Sequence, residues 1–350
     1  MRHRPKRSPS QRYRVEQFLP YLESKDVSYE YVFLLNKEDD KIFYSNKVFF
    51  KKIFVILKSF FKLLYLVIFK VKKFERAFIQ KELFFIGPPI FEKLISKQTK
   101  LVYDFDDAIW MRDVSEGNKK FAFLKNSDKT KQIIMVADQV IVGNEFLKKY
   151  ALKYNQKVEI IPTCVDTDKY KRSIPYSNKE NICIGWSGSQ TTIKHFDLLS
   201  EVLIDIKEKY KEKICFKVIG DENYYNKVLD IKGEKWKYEK EKSNLEEIDI
   251  GLMPLPNDKW SEGKCGLKGL VYMSMEIPAI LSPVGVNKDI LKNNEGGYLC
   301  LTDDEWIHTL SELIENFELR KEVGINGRNI VLNKYSIKKN KESFYRTIFV

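Results

Sequence analysis

Three stretches of this 350-residue chain gather residue types that can do chemistry. Residues 101–110, LVYDFDDAIW, form an apolar run that ends in Asp104, Asp106 and Asp107. At the carboxyl edge of an open parallel sheet such acids face a ligand crevice, where they bind a metal, take a proton or orient hydroxyls; a single one would serve equally to cap the next helix. Residues 181–196, NICIGWSGSQTTIKHF, run from an apolar strand through Gly185, Ser187, Gly188, Ser189, Thr191 and Thr192 into a helical pattern carrying Lys194. Small residues let backbone N–H groups approach an anion, hydroxyls add donors, and the helix dipole favours negative charge there. Neither G-x-x-x-x-G-K-[ST] nor G-x-G-x-x-G occurs, so the stretch is neither a nucleotide-hydrolase loop nor a dinucleotide fingerprint. Residues 259–275, KWSEGKCGLKGLVYMSM, open a helix near Cys265, Gly266 and Leu267, with Lys264 and Lys268 at its first turn. Cations at a helix N-terminus oppose the macrodipole unless an anion also sits there, so two lysines and a glycine at one helix start point to a diphosphate.

These segments need a scaffold, and the pattern around them supplies one. Apolar runs bounded by turn residues alternate with helical patterns, as a parallel sheet covered on both faces requires. Strands are expected at 27–35, 77–80, 101–105, 139–143 and 158–162, then at 182–186, 215–220, 248–253, 279–282 and 298–301. Amphipathic helices are expected at 193–210 and 268–275. The expected fold is α/β, with two Rossmann-like domains facing across a cleft. Residues 1–165 form the first, the polar stretch 166–180 is the linker, residues 181–335 form the second, and 336–350 form a helix crossing back to the first. Residues 1–14, MRHRPKRSPSQRYR, contain no apolar run, so the expected opening strand is missing and the chain is expected to begin late. Ser8 and Pro9 instead mark the start of an amphipathic helix reaching about Ser24.

The net charge of +12, from 61 Lys and Arg against 49 Asp and Glu, calls for an anionic partner. Five cysteines without a C-x-x-C pair and three dispersed histidines give no zinc or disulfide framework, and no secretory signal opens the chain. A reducing cytoplasm fits this usage. Residues 48–74, VFFKKIFVILKSFFKLLYLVIFKVKKF, are too often broken by lysine for a span of roughly 18 apolar residues. They read either as a helix packed on the sheet with a solvated lysine face or as a basic amphipathic helix lying in a membrane interface. The second reading places the protein peripherally on the inner face of the cytoplasmic membrane.

Five segments in order resemble glycosyltransferase family 4, whose members adopt the GT-B fold: residues 161–166 (IPTCVD), 184–188 (IGWSG), 218–221 (VIGD), 264–273 (KCGLKGLVYM) and 282–287 (SPVGVN). Residues 324–336, GINGRNIVLNKYS, are similar to the family's closing helices. The resemblance runs from about Arg4 to the C-terminus and implies a retaining enzyme that moves a sugar from a nucleotide donor to a hydroxyl without metal or other cofactor. It places the donor diphosphate across residues 187–192 and 264–267. Many members carry a Glu-x7-Glu pair there; Lys264 and Tyr272 stand at those positions, and the chain looks closest to a branch with G-K-C-G-x-K. Lys194 stands at a diphosphate lysine, while the usual arginine is replaced near Ser187. On this reading Asp106, Asp107 and Lys264 are the catalytic candidates. Gly185, Ser187, Gly188, Ser189, Lys194, Gly266, Leu267, Lys268 and Tyr272 are the donor-binding ones, and Ser10 and Arg12, beside Ser8 and Gln11, lie on the acceptor side. The partners implied are a nucleotide sugar, a glycan or lipid-linked acceptor used for a surface polysaccharide, and an anionic membrane surface.

A nucleic-acid-binding module would share the charge but should cluster its basic and aromatic residues, whereas these lysines are spread along the chain. A non-catalytic scaffold of the same fold would account for the missing glutamates, and a sugar-nucleotide epimerase is a third class.

Overall fold

The computed structural model describes residues 1–45, 49–111, 128–292 and 295–350; Val48, the first residue of the basic apolar stretch, lies outside them. The chain divides into two units, Met1–Pro162 together with Lys341–Val350, and Thr163–Asn340.

The first unit opens with helices α1 (Pro9–Arg14), α2 (Leu19–Glu23), α3 (Lys37–Tyr44) and α4 (Phe49–Tyr65). Strands β1 (Arg76–Gln80), β2 (Lys100–Phe105), β3 (Gln139–Val142) and β4 (Val158–Ile160) follow, with α5 (Ile90–Ser96), α6 (Lys129–Val136) and α7 (Glu145–Ala151) between them. The strands pair in that order, all parallel. Leu101, Val102, Tyr103 and Phe105 of β2 are all buried, the continuous apolar run expected of a strand covered on both faces.

Nine of the ten expected strands form within two residues of their bounds. The exception is 27–35. Its residues Ser28 to Glu30 are exposed and only Leu34 and Leu35 are buried, so it makes a single bridge from Leu35 to His3 instead of joining the sheet. The amides of Leu34 and Leu35 donate to Arg2 O, and the Met1 amine donates to Val32 O at 2.9 Å. The expected helix from Ser8 to Ser24 breaks into α1, a 3₁₀ turn and α2, because Val15 leaves helical geometry with φ −134° and ψ −61°. Pro9 does occupy the first turn of α1, where its missing N–H costs nothing.

The second unit carries β5 (Ile182–Ser187), α8 (Ile193–Phe196), α9 (Ser200–Tyr210), β6 (Ile214–Ile219) and a small antiparallel ribbon of β7 (Tyr225–Asn226) and β8 (Ile231–Lys232). After these come α10 (Glu241–Glu246), β9 (Ile250–Met253), α11 (Lys259–Glu262), α12 (Leu267–Ser274), β10 (Ala279–Leu281), α13 (Asn287–Ile290), β11 (Gly297–Leu299), α14 (Asp303–Glu315) and α15 (Phe317–Ile330), while α16 (Ile337–Phe349) belongs to the first unit from Lys341 onward. The parallel sheet runs β11-β10-β9-β5-β6. The chain starts at β5, steps outward to β6 and then returns past β5 to β9. The direction of winding therefore reverses beside β5, and the crevice at the carboxyl ends of β5 and β9 is where such a sheet binds ligand.

Two expectations change in this unit. The expected helix 193–210 is interrupted by a 3₁₀ turn at Asp197–Leu199, leaving the four-residue α8 and the longer α9. The polar stretch 166–180 is packed into the unit rather than strung between domains: Tyr170 is buried with its hydroxyl on Glu241, and the Tyr176 hydroxyl donates to Glu276 O. At the end of the chain, Phe344 of α16 stacks on Phe18 with ring centres 4.1 Å apart, within the first unit.

Candidate active site

At the switch point of the second unit, β5 ends in Ser187 and the backbone turns through Gly188. A methyl group at Gly188 would lie 2.1 Å from the Trp186 ring. The Gly188 amide donates to Ile219 O, and a methyl at Gly220 would lie 2.1 Å from Gly188 O. Gly220 has φ +125°, which only glycine adopts without strain. Two backbones thus press together to fix the loop. Ser189 closes it: its amide donates to Thr192 Oγ1 at 3.0 Å, and its hydroxyl lies 3.0 Å from that of Thr191.

Behind the loop stands Tyr272 of α12. It is fully buried, its ring occupies the space a side chain at Gly251 would need, and its hydroxyl accepts the Ser187 amide at 2.7 Å. Burial raises its pKa, and the Ser187 amide opposes that. Tyr272 therefore acts on the loop and presents no surface of its own. Gly185 is likewise internal to β5, where a side chain would strike Ile248.

The start of α12 faces the same crevice. Gly266 takes φ +68° at the N-cap, and a methyl there would lie 2.3 Å from Ile290 Cδ1. Gly285, at φ +54°, lets the 282–287 loop reach Glu262 O of α11, which a methyl would approach to 2.7 Å. Leu267 is half-buried on the first turn. Lys268 Nζ lies 5.1 Å from the centre of the Trp186 ring, and Lys264 Nζ lies 5.0 Å from that of Trp260. The charges of both lysines and of the exposed Lys194 act on the buried His195, whose pKa falls to about 4 through burial and then through Lys268, Lys264 and Lys194. The imidazole is therefore neutral at pH 7.

Three buried polar atoms in this region have no hydrogen-bond partner among the described residues: His195 Nδ1, Trp186 Nε1 and Asn287 Oδ1. Buried polar groups are normally satisfied, so these three atoms single this region out as the candidate site. His195, Trp186 and Asn287 were not singled out from the sequence. His195 and Trp186 flank the Gly-Ser loop, and Asn287 closes the SPVGVN segment, so proximity to those motifs was the available signal.

The first unit holds a separate constellation at the carboxyl ends of β1 and β2. Lys81, just past β1 and at φ +62°, reaches Asp107 Oδ2 at 2.6 Å, Asp106 Oδ1 at 3.0 Å and Ser10 Oγ at 2.9 Å. Gln80 Nε2 adds a longer contact to Asp106 at 3.4 Å. Burial would lower the Lys81 pKa, but the two carboxylates outweigh it and hold the ammonium above the ordinary lysine value. Asp104 departs from the expectation that all three acids face a crevice. It is fully buried and takes the Arg14 guanidinium, with Nε 3.1 Å from Oδ1, while Arg14 also donates to Ile161 O. Burial pushes its pKa up to about 6, against the pull of Arg14. Arg12 is buried too, with its guanidinium 5.0 Å from the Tyr13 ring centre. Ser10, Asp106 and Asp107 thus meet through Lys81, a residue whose isolated place after a short strand gave no sequence signal. No group of three or more His, Cys, Asp or Glu is placed to hold a metal ion among the described residues.

Comparison with solved structures gives similar folds. HepE of Anabaena, in complex with UDP and glucose, matches over 94% of this chain and 88% of its own, with a TM-score of 0.61 at 13% identity. The fold is that of the GT-B glycosyltransferases. Sucrose-phosphate synthase of Thermosynechococcus elongatus matches over 84% and 78%, with a TM-score of 0.59 at 12% identity. In sequence, the chain is 24% identical over 290 residues to an uncharacterized glycosyltransferase of Methanocaldococcus jannaschii, covering 74% of this chain and 70% of that protein. No protein-family profile matches.

Proposed function

We propose that this GT-B chain is a retaining glycosyltransferase, moving a sugar from a nucleoside-diphosphate donor to a hydroxyl of a glycan or lipid-linked acceptor in cell-surface polysaccharide synthesis. The observation that carries the reading is that Lys268 lies over the Trp186 ring and that the charges of Lys268, Lys264 and Lys194 all act on His195, beside the buried and unpartnered His195 and Trp186 nitrogens. A departing nucleoside diphosphate develops negative charge, and preorganised cations and oriented amides at that point are usually the largest contribution to such a rate. Lys264 and Lys268 supply the charge, Ser187 and Ser189 supply hydroxyls, and Tyr272 holds the loop in place. In a retaining transfer with attack on the face of departure, the diphosphate oxygen itself accepts the hydroxyl proton, so no dedicated base is required. Asp106 or Asp107, oriented by Lys81, would hold the acceptor hydroxyl or stabilise positive charge at the sugar carbon.

The UDP held by a structural neighbour and the glycosyltransferase relative support a nucleotide-sugar donor. A lipid-linked acceptor places the work on an anionic membrane, at its cytoplasmic face. The test is calorimetric titration with UDP, GDP and their sugar conjugates, together with Lys264→Ala. One nucleotide should bind saturably, and the variant should lose more than about tenfold in affinity, or ~1.4 kcal/mol. Absence of binding to every nucleotide by folded protein would instead make the chain a non-catalytic scaffold.

A further inference from the structure

Helix α4 is apolar on two opposite faces, and only one is covered. At 100° per residue Val55, Ser59, Leu63 and Val67 fall on one side, and all four are buried against the unit. Phe50, Phe54, Leu57, Phe61, Tyr65 and Ile68 fall on the other, at helical spacings, and all six are exposed; Phe50 is 84%, Phe54 69% and Phe61 62% accessible. A π-helical turn at Leu66–Lys70 widens the spiral and adds the exposed Phe69 to the same end. The stripe runs for about 27 Å at 1.5 Å per residue, longer than an isolated surface apolar residue needs any reason for.

The charge beside the stripe decides its occupant. Residues 49–73 contain seven lysines and no acid. Lys58 is paired with Asp39 at 2.8 Å and Lys70 with Glu30 at 2.6 Å, while Lys51, Lys72 and Lys73 are exposed near the two ends of the stripe. A second copy of the helix would bring seven further lysines against these, whereas an anionic lipid surface takes the aromatic side chains among its acyl chains and the ammonium groups among its phosphates. No helix among the described residues is long and apolar enough to cross a membrane, so α4 would lie along it.

We propose that the Phe50–Ile68 face of α4 and of the π-helical turn that continues it docks the protein on an anionic lipid bilayer, with the helix axis in the headgroup plane. This deepens the reading of the chain as an enzyme working at a membrane surface. The experiment is co-sedimentation of the full chain with phosphatidylcholine vesicles, with and without phosphatidylglycerol, comparing wild type, Phe54→Asp/Phe61→Asp and Lys72→Glu/Lys73→Glu. Both aromatic positions are solvent-exposed, so the fold should survive, and UDP titration of each variant serves as a check on the other unit. Binding should be strong only with phosphatidylglycerol, and the aromatic pair should lose at least about tenfold in partition, with a smaller loss for the lysine pair. Equal sedimentation with both vesicle types, or no effect of the aromatic pair, would overturn the proposal. So would lipid-free dimerisation that Phe54→Asp/Phe61→Asp abolishes, which would assign the stripe to a second copy. Vesicle binding without any nucleotide binding would leave this inference standing and remove the proposed donor; nucleotide binding without vesicle binding would do the reverse.

Discussion

Replacing Lys81 by methionine keeps most of the side-chain volume and removes one charge from a cluster that depends on it. The ammonium lies 2.6 Å from Asp107, 3.0 Å from Asp106 and 2.9 Å from the Ser10 hydroxyl. Its loss leaves two neighbouring carboxylates facing each other. One such contact at ~3 Å is worth about 5 kcal/mol gross at an effective dielectric near 20, and breaking a fully buried pair costs about 3–5 kcal/mol. The three side chains are 13%, 22% and 25% exposed, so water screens part of this. A net cost of about 2–3 kcal/mol to the first unit is expected. Hydrogen exchange of the β2 amides reads that unit alone and should accelerate roughly 30- to 150-fold. Asp107→Asn combined with Lys81→Met should cost less than the sum of the two, with a coupling of at least ~1 kcal/mol. UDP affinity should be unchanged, because the proposed donor loops belong to the other unit, while the proposed transfer to acceptor should fall sharply. A cost below ~0.5 kcal/mol with additive single substitutions would refute the argument that Lys81 organises the two aspartates.

Three further outcomes follow from the second unit. Tyr272→Phe removes the acceptor of the Ser187 amide and should cost about 1 kcal/mol, with weaker nucleotide binding by calorimetry; unchanged affinity would mean the loop holds its position without that bond. Gly220→Ala meets both φ +125° and a contact of 2.1 Å with Gly188 O, so a loss of ~3 kcal/mol or more is expected by thermal unfolding, and a wild-type melting temperature would contradict it. His195 titrates near 4 in the folded protein against an ordinary value of 6.5. Between those values the unfolded chain binds more protons, so its contribution to stability rises with pH through that window and is complete above it. His195→Asn should flatten that part of the stability profile, and an imidazole seen by NMR to titrate near 6.5 would disprove the lysine-crowded environment.

The sequence by itself determined the strands and the motifs. Runs such as Leu101-Val102-Tyr103 and Val140-Ile141-Val142 are short, apolar on consecutive residues and bounded by polar or turn residues, as a strand covered on both faces requires, and nine of ten strand expectations held because that signal is local. It failed at 27–35, where a half-polar segment met the N-terminal residues instead of a sheet. The Gly-Ser loop and the Lys264–Lys268 helix start were also legible, since glycines and cations at strand and helix ends have few other uses. Tertiary structure alone decided what those residues touch. Asp104 lies within β2 and Asp106 and Asp107 just past it, and nothing in that spacing says that the long-range partners Arg14 and Lys81 bury the first and gather the other two. Tyr272 reads as a binding residue by its position in the motif, but the packing of α12 under β5 turns its hydroxyl onto Ser187. His195 became visible only when folding buried it and brought the charges of Lys264 and Lys268, some seventy residues away, to bear on it, which no periodicity along the chain encodes.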